Sequence, residues 1–399
     1  MNSLRYIDEH DISWHNVLVC IDMDVALDGD GNVIDNKRVR ESLPTIEHLL
    51  KQNNHIILVG KIGRPKGVRD PYYSTRRIAE MLRDHLVGHE VNFVEDFLSD
   101  EGRSEIKKWK PGHITVLENM RFWNEEVQGD DEFAKKLAEL ADVYVNDAFG
   151  TAHREQVSTY TVAKYLPGYA GLNHKREVPA ITSLLERRSK TRIAVMGWAK
   201  LETKLRIIKM LQKMDYVLVG GVMANTFLKT LGYNIGTSKY DPKELDTAKE
   251  VLYFMAQNRA SLILPSDVII GNPDDTTSDG WVYSIEDIPD DGNILDLGPK
   301  TLATFGNLIA QSDVIFWNGP MGYYENPRFR RASDFVYHAI VQNSHAHSVV
   351  GGGDTLAILT DKEDTDTISH ISLGGGAMFD LLAHGTLPAL EVLRQSWKE

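Results

Sequence analysis

Four arginines stand where an α/β chain would place them to hold an anion. They are Arg38 in NKRVR, Arg64 in KIGRPKG, Arg121 in MRFW and Arg154 in AFGTAHR. Each segment follows a short apolar run, and a guanidinium fork suits carboxylate and phosphate better than a lysine does. A single such arginine is ordinarily a solvated surface group; four on strand ends favour an anion pocket. The other half of the chain carries a different chemistry. There GWAK, GGVMAN, WNGPMG, GGGDT and LGGGA follow the apolar runs. Glycine lets backbone N–H groups approach a ligand closely, and a following helix adds its positive N-terminal end, so a polyphosphate is held with little side-chain charge. Lys200 and Lys204 lie one helical turn apart on one face. Asp354 of GGGDT is a hard oxygen ligand suited to Mg²⁺.

Familiar signatures are missing from the sequence: no G-x-x-x-x-G-K-[ST], no strand-bound G-x-G-x-x-G, no H-E-x-x-H, no G-x-S-x-G and no paired C-x-x-C. This argues against P-loop ATPases, simple dinucleotide dehydrogenases, zincins and serine hydrolases. An Arg-lined crevice facing a Gly-lined one suggests phosphoryl transfer between two ligands on separate domains.

The elements that must position these residues are strands and helices in alternation. Apolar, β-branched runs occur at 17–25, 55–60, 90–95, 114–119 and 143–147, and again at 192–197, 216–220, 262–265, 314–319 and 347–353. Amphipathic stretches such as RRIAEMLRDHL and DEFAKKLAELA lie between them. Continuous apolar strands between amphipathic helices predict parallel sheets covered on both faces. The fold class is therefore α/β, with two doubly wound, Rossmann-like units and ligands outside the carboxyl ends of the strands. The boundary falls near Gly171, before the charged helix HKREVPAITSLLERRS.

The bulk properties agree with this reading. At 399 residues the chain is long enough for two domains. A formal net charge of −13 disfavours a nucleic-acid or anionic-membrane partner. No apolar stretch reaches membrane-spanning length, and the N-terminal MNSLRYIDEHDISWHN lacks the apolar core of a secretory signal. The single cysteine, Cys20, rules out an internal disulfide and fits a reducing cytoplasm.

From about Val17 to Leu393 the chain resembles the phosphoglycerate kinase family. RVRESLPTI, IGRPKG, LENMRF, ADVYVNDAFGTAHR, LGPKT, WNGPMG, VGGGDT and GGGA occur in the family's order. The resemblance implies the phosphoglycerate kinase fold, a hinge-closing cytoplasmic monomer of two domains joined by a hinge helix. Residues 1–172, completed by the tail 384–399, would hold 3-phosphoglycerate or 1,3-bisphosphoglycerate. Residues 173–383 would hold ADP or ATP with Mg²⁺, for the reversible phosphoryl transfer of glycolysis.

Carried over position by position, the substrate set is Asp22, Met23, Asp24, Arg38, Lys61, Ile62, Gly63, Arg64, Arg121 and Arg154. The nucleotide set is Gly197, Trp198, Ala199, Lys200, Lys204, Gly221, Val222, Gly298, Asn318, Pro320, Tyr323, Glu325, Gly352, Gly353, Asp354 and Thr355. The resemblance puts Lys200 and Lys204 on phosphates, Glu325 on the ribose and Asp354 on Mg²⁺. Arg38, Lys200, Gly353 and Gly376 would neutralise charge on the group in transfer.

Both pockets depart from the family pattern. Cys20 stands for an arginine, Asp24 for an asparagine, Lys61 for a histidine and Ala26 for a proline. The first two changes shift local charge by about two units against a polyanion, and Lys61 offsets part of that. Cys20 also reads as a small buried hydrophobe and Asp24 as a partner for Lys61; a changed substrate is the competing reading. In the nucleotide set, Trp198, Val222 and Tyr323 add bulk beside the adenine slot, while Leu373 and Met378 replace hydroxyl residues. The bulky residues either fill the slot or rebuild it as a stacking surface, unless Trp198 turns into the core. The surviving phosphate-side residues favour a working site with altered adenine contacts. The runner-up function is a non-catalytic relative that binds a metabolite or a partner.

Overall fold

Runs such as NVLVC and HIILV are buried along almost their whole length, as strands covered on both faces must be. The computed structural model describes residues 3–108, 110–186, 191–197, 213–257, 261–360 and 362–396. Its packing resolves into two compact units, Met1–Pro179 with Thr386–Glu399, and Ala180–Gly385. The helix Leu172–Glu186 carries the chain from the first into the second.

The first unit contains β1 (Asn16–Cys20), β2 (Ala26–Leu27), β3 (Val33–Asp35), β4 (His55–Val59), β5 (Val91–Val94), β6 (Ile114–Leu117), β7 (Val143–Asn146) and β8 (Gly168–Ala170). Among the described residues, six of them form a parallel sheet in the order β5-β6-β4-β1-β7-β8. Strand order reverses at β1, the place where doubly wound sheets open a crevice. Register puts Cys20 beside both Val59 and Asn146. The segments that begin at Ile21, Gly60 and Asp147 therefore leave the sheet at one level. Apolar clusters fill both faces, one around Val19, Ile56 and Leu82, the other around Leu18, Phe97 and Tyr144. Val392 and Leu393 of the helix Pro388–Gln395 belong to the second cluster.

The second unit contains β9 (Arg192–Met196), β10 (Tyr216–Val219), β11 (Ser261–Ile263), β12 (Asp267–Ile270), β13 (Trp281–Ser284), β14 (Ile294–Leu297), β15 (Val314–Asn318), β16 (His347–Gly351) and β17 (His370–Ser372). Its main sheet is parallel, in the order β11-β10-β9-β15-β16-β17. Register aligns Met196 with Val219 and with Asn318, and Asn318 with Gly351. Four strands thus end level, and Gly197, Gly220, Gly319 and Gly352 follow them. The sequence reading anticipated parallel sheets only. The structure adds an antiparallel sheet, β13-β12-β14. Its strand β13 leaves Trp281 and Val282 exposed, while β12 and β14 are mostly buried and each carries an aspartate. Among the described residues, no helix is long and apolar enough to cross a membrane.

Candidate active site

Asp22 follows β1 and is buried; its Oδ2 accepts a hydrogen bond from the Gly150 N–H at 2.6 Å. Burial raises its carboxyl above the ordinary range, while the nearby Arg38 guanidinium and the Gly150 amide pull it back down. Asp24 accepts the Gly63 N–H at 2.9 Å and faces the Arg121 guanidinium at 3.4 Å. Arg121 is itself buried and donates to the Gly63 carbonyl. Arg154 has its proton affinity lowered, first by burial and then by the positive charges of Arg121 and Arg64. Those mutual influences place the cations together: Arg64, Arg121 and Arg154 share one field, and Arg38 reaches the same Asp22 that acts on Arg154. Among the described residues Arg38, Arg64 and Arg154 form no ion pair with a carboxylate. Met23 and Ile62 are buried and pack into the sheet's core rather than presenting side chains to the crevice.

In the second unit two cavities share a wall. The wider one, of about 380 Å³, is lined by Gly197, Gly221, Val222, Pro320, Tyr323, Glu325 and Asp354, among others. The narrower one, of about 110 Å³, is lined by Asn318, Gly319, Gly352, Gly353, Asp354, Thr355, Gly375, Gly376 and Phe379. Two helices begin at it, Gly353–Leu359 and Gly376–His384. Its loops are knit by Asn318 Nδ2 donating to the Gly351 carbonyl at 2.6 Å and the Gly319 N–H donating to Thr355 Oγ1 at 2.6 Å. Gly352 has φ +101°, and a Cβ there would stand 2.5 Å from Asn318 Nδ2, so only glycine fits. A cavity floored by glycines at two helix N-termini can present backbone amides to an anion. Asp354, exposed at its mouth, accepts a hydrogen bond from the Tyr324 hydroxyl at 3.3 Å. Burial and the Asp354 charge push that phenol up to about 12.

The model of the phosphoglycerate kinase family matches residues 7–384. The chain belongs to the phosphoglycerate kinase family. It is 39% identical over 387 residues to a phosphoglycerate kinase of Dictyoglomus turgidum, covering 97% of each chain. It is 36% identical over 395 residues to a cytosolic phosphoglycerate kinase of Nicotiana tabacum, with 98% of each covered. The fold superposes on a phosphoglycerate kinase from Coxiella burnetii with a TM-score of 0.87 at 34% identity, over 99% of this chain and 100% of that one.

Against that family pattern, several expectations need revision. Lys61 is not a free cation of the crevice, although its charge still acts on the neighbouring Asp22. It is buried, and its Nζ lies 3.3 Å from Glu126 Oε1 and 3.2 Å from Ser158 Oγ. Nor does Asp24 pair with Lys61; its partner is Arg121. Cys20 is buried in β1, as a small hydrophobe would be, and burial pushes its thiol up to about 12. Gly298 lines neither cavity. It precedes the helix Pro299–Ala310, and a Cβ there would press on the Asp267 carboxylate. Trp198, Ala199, Lys200 and Lys204 lie outside the described residues. Met378 packs in the core, where a Cβ on Gly351 would meet its terminal methyl and sulfur at 2.6 and 2.7 Å.

Sequence reasoning missed Tyr324, Asn225 and Lys239 on the wide cavity. Tyr324 adjoins Glu325 in GYYE, and Asn225 lies one helical turn beyond Gly221, where a helix-face argument reaches it. No local signal marks Lys239; it arrives through the long connection after the helix.

Proposed function

We propose that this protein catalyses reversible, Mg²⁺-dependent transfer of a phosphoryl group between 1,3-bisphosphoglycerate and ADP, giving 3-phosphoglycerate and ATP. The observation that carries this reading is Asp354, which lines both the wide cavity and the glycine cradle. A base and ribose would fill the first and the phosphates the second, with one carboxylate between them.

Phosphoryl transfer asks for positioning and charge neutralisation rather than a protein nucleophile. In the first unit Arg38, Arg64, Arg121 and Arg154 would hold the acyl phosphate and its distal phosphate as forks. In the second, the Gly353 and Gly376 amides would face the phosphates, Glu325 the ribose, and Lys200 and Lys204 the phosphate chain. Among the described residues no group of three or more His, Cys, Asp and Glu could cage a metal. A lone exposed carboxylate beside a phosphate cradle fits Mg²⁺, which typically takes one or two carboxylates and completes its shell with phosphate oxygens and water. Bound there, Mg²⁺ would supply charge neutralisation to the phosphates. The cytosolic relative supports a cytosolic setting.

The test is a coupled assay with ADP and 1,3-bisphosphoglycerate, alongside melting curves with Mg-ADP and with 3-phosphoglycerate. Each ligand is expected to raise the melting temperature by binding the folded state. Arg38→Ala is expected to keep the fold and lose on the order of a hundredfold in kcat, as removal of one preorganised charge donor does. A folded wild type with no turnover and no thermal response to either ligand would remove the proposal.

A further inference from the structure

One end of the wide cavity carries polar side chains that the phosphate chemistry does not use. Asn225 is 4% exposed and lines the cavity from the first turns of the helix Gly221–Thr230. Its Nδ2 donates to the carbonyl of Lys239 at 3.0 Å, and Lys239 lines the same wall. Around them the lining is apolar, with Val222, Val268, Ile294 and Leu297. The helix of Asn225 follows β10, whereas Asp354 follows β16. Those strands are three steps apart in the sheet order. At the usual strand spacing that is about 14 Å, a span suited to a nucleotide with its phosphates by Asp354 and its base at Asn225.

Resting on the nucleotide reading above, we propose that Lys239 and Asn225 read the edge of the base and favour a 6-oxopurine, guanine or hypoxanthine, over adenine. A lysine ammonium has three donors and no acceptor. The outer edge of guanine offers O6 and N7, two acceptors, and is the edge that lysine and arginine recognise. The same edge of adenine sets an amino donor beside N7, and that donor meets the ammonium donor to donor. Asparagine recognises adenine by using both amide atoms at once. Asn225 spends one Nδ2 hydrogen on the Lys239 carbonyl and keeps Oδ1, an acceptor that the N1–H of a 6-oxopurine would satisfy, so the discrimination against adenine rests first on Lys239. An apolar wall such as Val222 supplies contact to either purine and discriminates neither.

The experiment titrates the full-length protein with Mg-ADP, Mg-GDP and Mg-IDP by calorimetry, in wild type and in Lys239→Leu. Lys239 is exposed, so the substitution leaves the core alone. The expected result is GDP and IDP bound at least as tightly as ADP in wild type, with the GDP-to-ADP affinity ratio falling about tenfold in Lys239→Leu. A wild type that prefers ADP, or a ratio unchanged in the variant, overturns the base-reading role while leaving a nucleotide site standing. Binding of none of the three overturns both this inference and the nucleotide reading.

Discussion

Lys61 and Glu126 form an ion pair sealed from solvent, with Nζ 3.3 Å from Oε1 and side-chain exposures of 2% and 0%. Ser158 completes it, its Oγ donating to Glu126 Oε1 at 2.7 Å and its N–H to Oε2 at 2.9 Å. Lys61 also interacts electrostatically with the Cys20 thiol. The lysine that the sequence offers as a substrate cation is therefore spent inside the first unit, where it fixes the chain just before Gly63 and Arg64. Removing one partner of such a pair leaves a bare charge in the core. Lys61→Met is expected to cost about 3–5 kcal/mol in urea denaturation. The double variant Lys61→Met/Glu126→Gln is expected to recover much of that loss. A loss in the double variant equal to the sum of the losses in Lys61→Met and Glu126→Gln would show that the two side chains are not coupled.

Cys20 supplies a second test. Its thiol is buried and pushed up to about 12, so little thiolate forms near neutral pH. Iodoacetamide at pH 8 is expected to leave the native protein unmodified and to alkylate it fully in urea, read by intact mass. Because the chain has one cysteine, the native labelling rate reports opening of the first unit. Labelling of native protein at the rate of an exposed thiol would contradict the burial of β1.

These two residues also show where sequence reading succeeds and fails. The parallel strands were legible because burial on both faces writes continuous apolar runs, and the glycine cradle was legible because amide approach demands glycine at several strand ends. The arginine cluster was legible from its spacing relative to those strands. Pairing was not. Lys61 and Glu126 are far apart in sequence, and nothing local distinguishes a lysine that turns inward from one that turns to a ligand. The same holds for Asp24, which bonds Arg121 instead of Lys61, and for Lys239, which a long loop returns to the cavity. The antiparallel strands β12 to β14 escaped because β12 and β14 each carry an aspartate and β13 leaves Trp281 and Val282 exposed, so none reads as a buried apolar run.

Gly63 joins strain to substrate affinity. Its φ is +58°, and a Cβ there would lie 2.2 Å from two ring carbons of Tyr73. An alanine in this left-handed conformation costs roughly 1–2 kcal/mol before any clash is counted. Displacing the loop would also disturb the Gly63 N–H bond to Asp24 and the Gly63 carbonyl that Arg121 donates to. Gly63→Ala is expected to raise KM for 3-phosphoglycerate more than KM for ATP, since the nucleotide cavity is built from the other unit. Steady-state kinetics with each substrate varied in turn decides it; equal changes in both KM values would mean the loop has no selective role.

His174 gives the first unit an acid-sensitive term. The ring is buried, its Nε2 is 3.0 Å from Asn146 Oδ1, and Phe149 packs edge-on at 5.8 Å. Burial lowers its pKa from 6.5 to about 3, and His55 is lowered in the same way to about 4. Between those values and 6.5 the unfolded chain binds protons that the native state refuses. Their stabilisation is full above pH 6.5 and is lost as pH falls toward the folded-state values. Asp147 runs the other way: burial lifts its pKa from 3.8 to about 8, so its contribution is full below 3.8 and lost as pH rises through about 8. Comparing wild type with His174→Phe isolates the histidine, because the aspartate term is common to both. The stability difference, measured by urea denaturation, is expected to shift against wild type as pH drops below 6.5. A difference independent of pH would mean that His174 has the same proton affinity in the native and the unfolded protein, and burial would then not be keeping the proton off the ring.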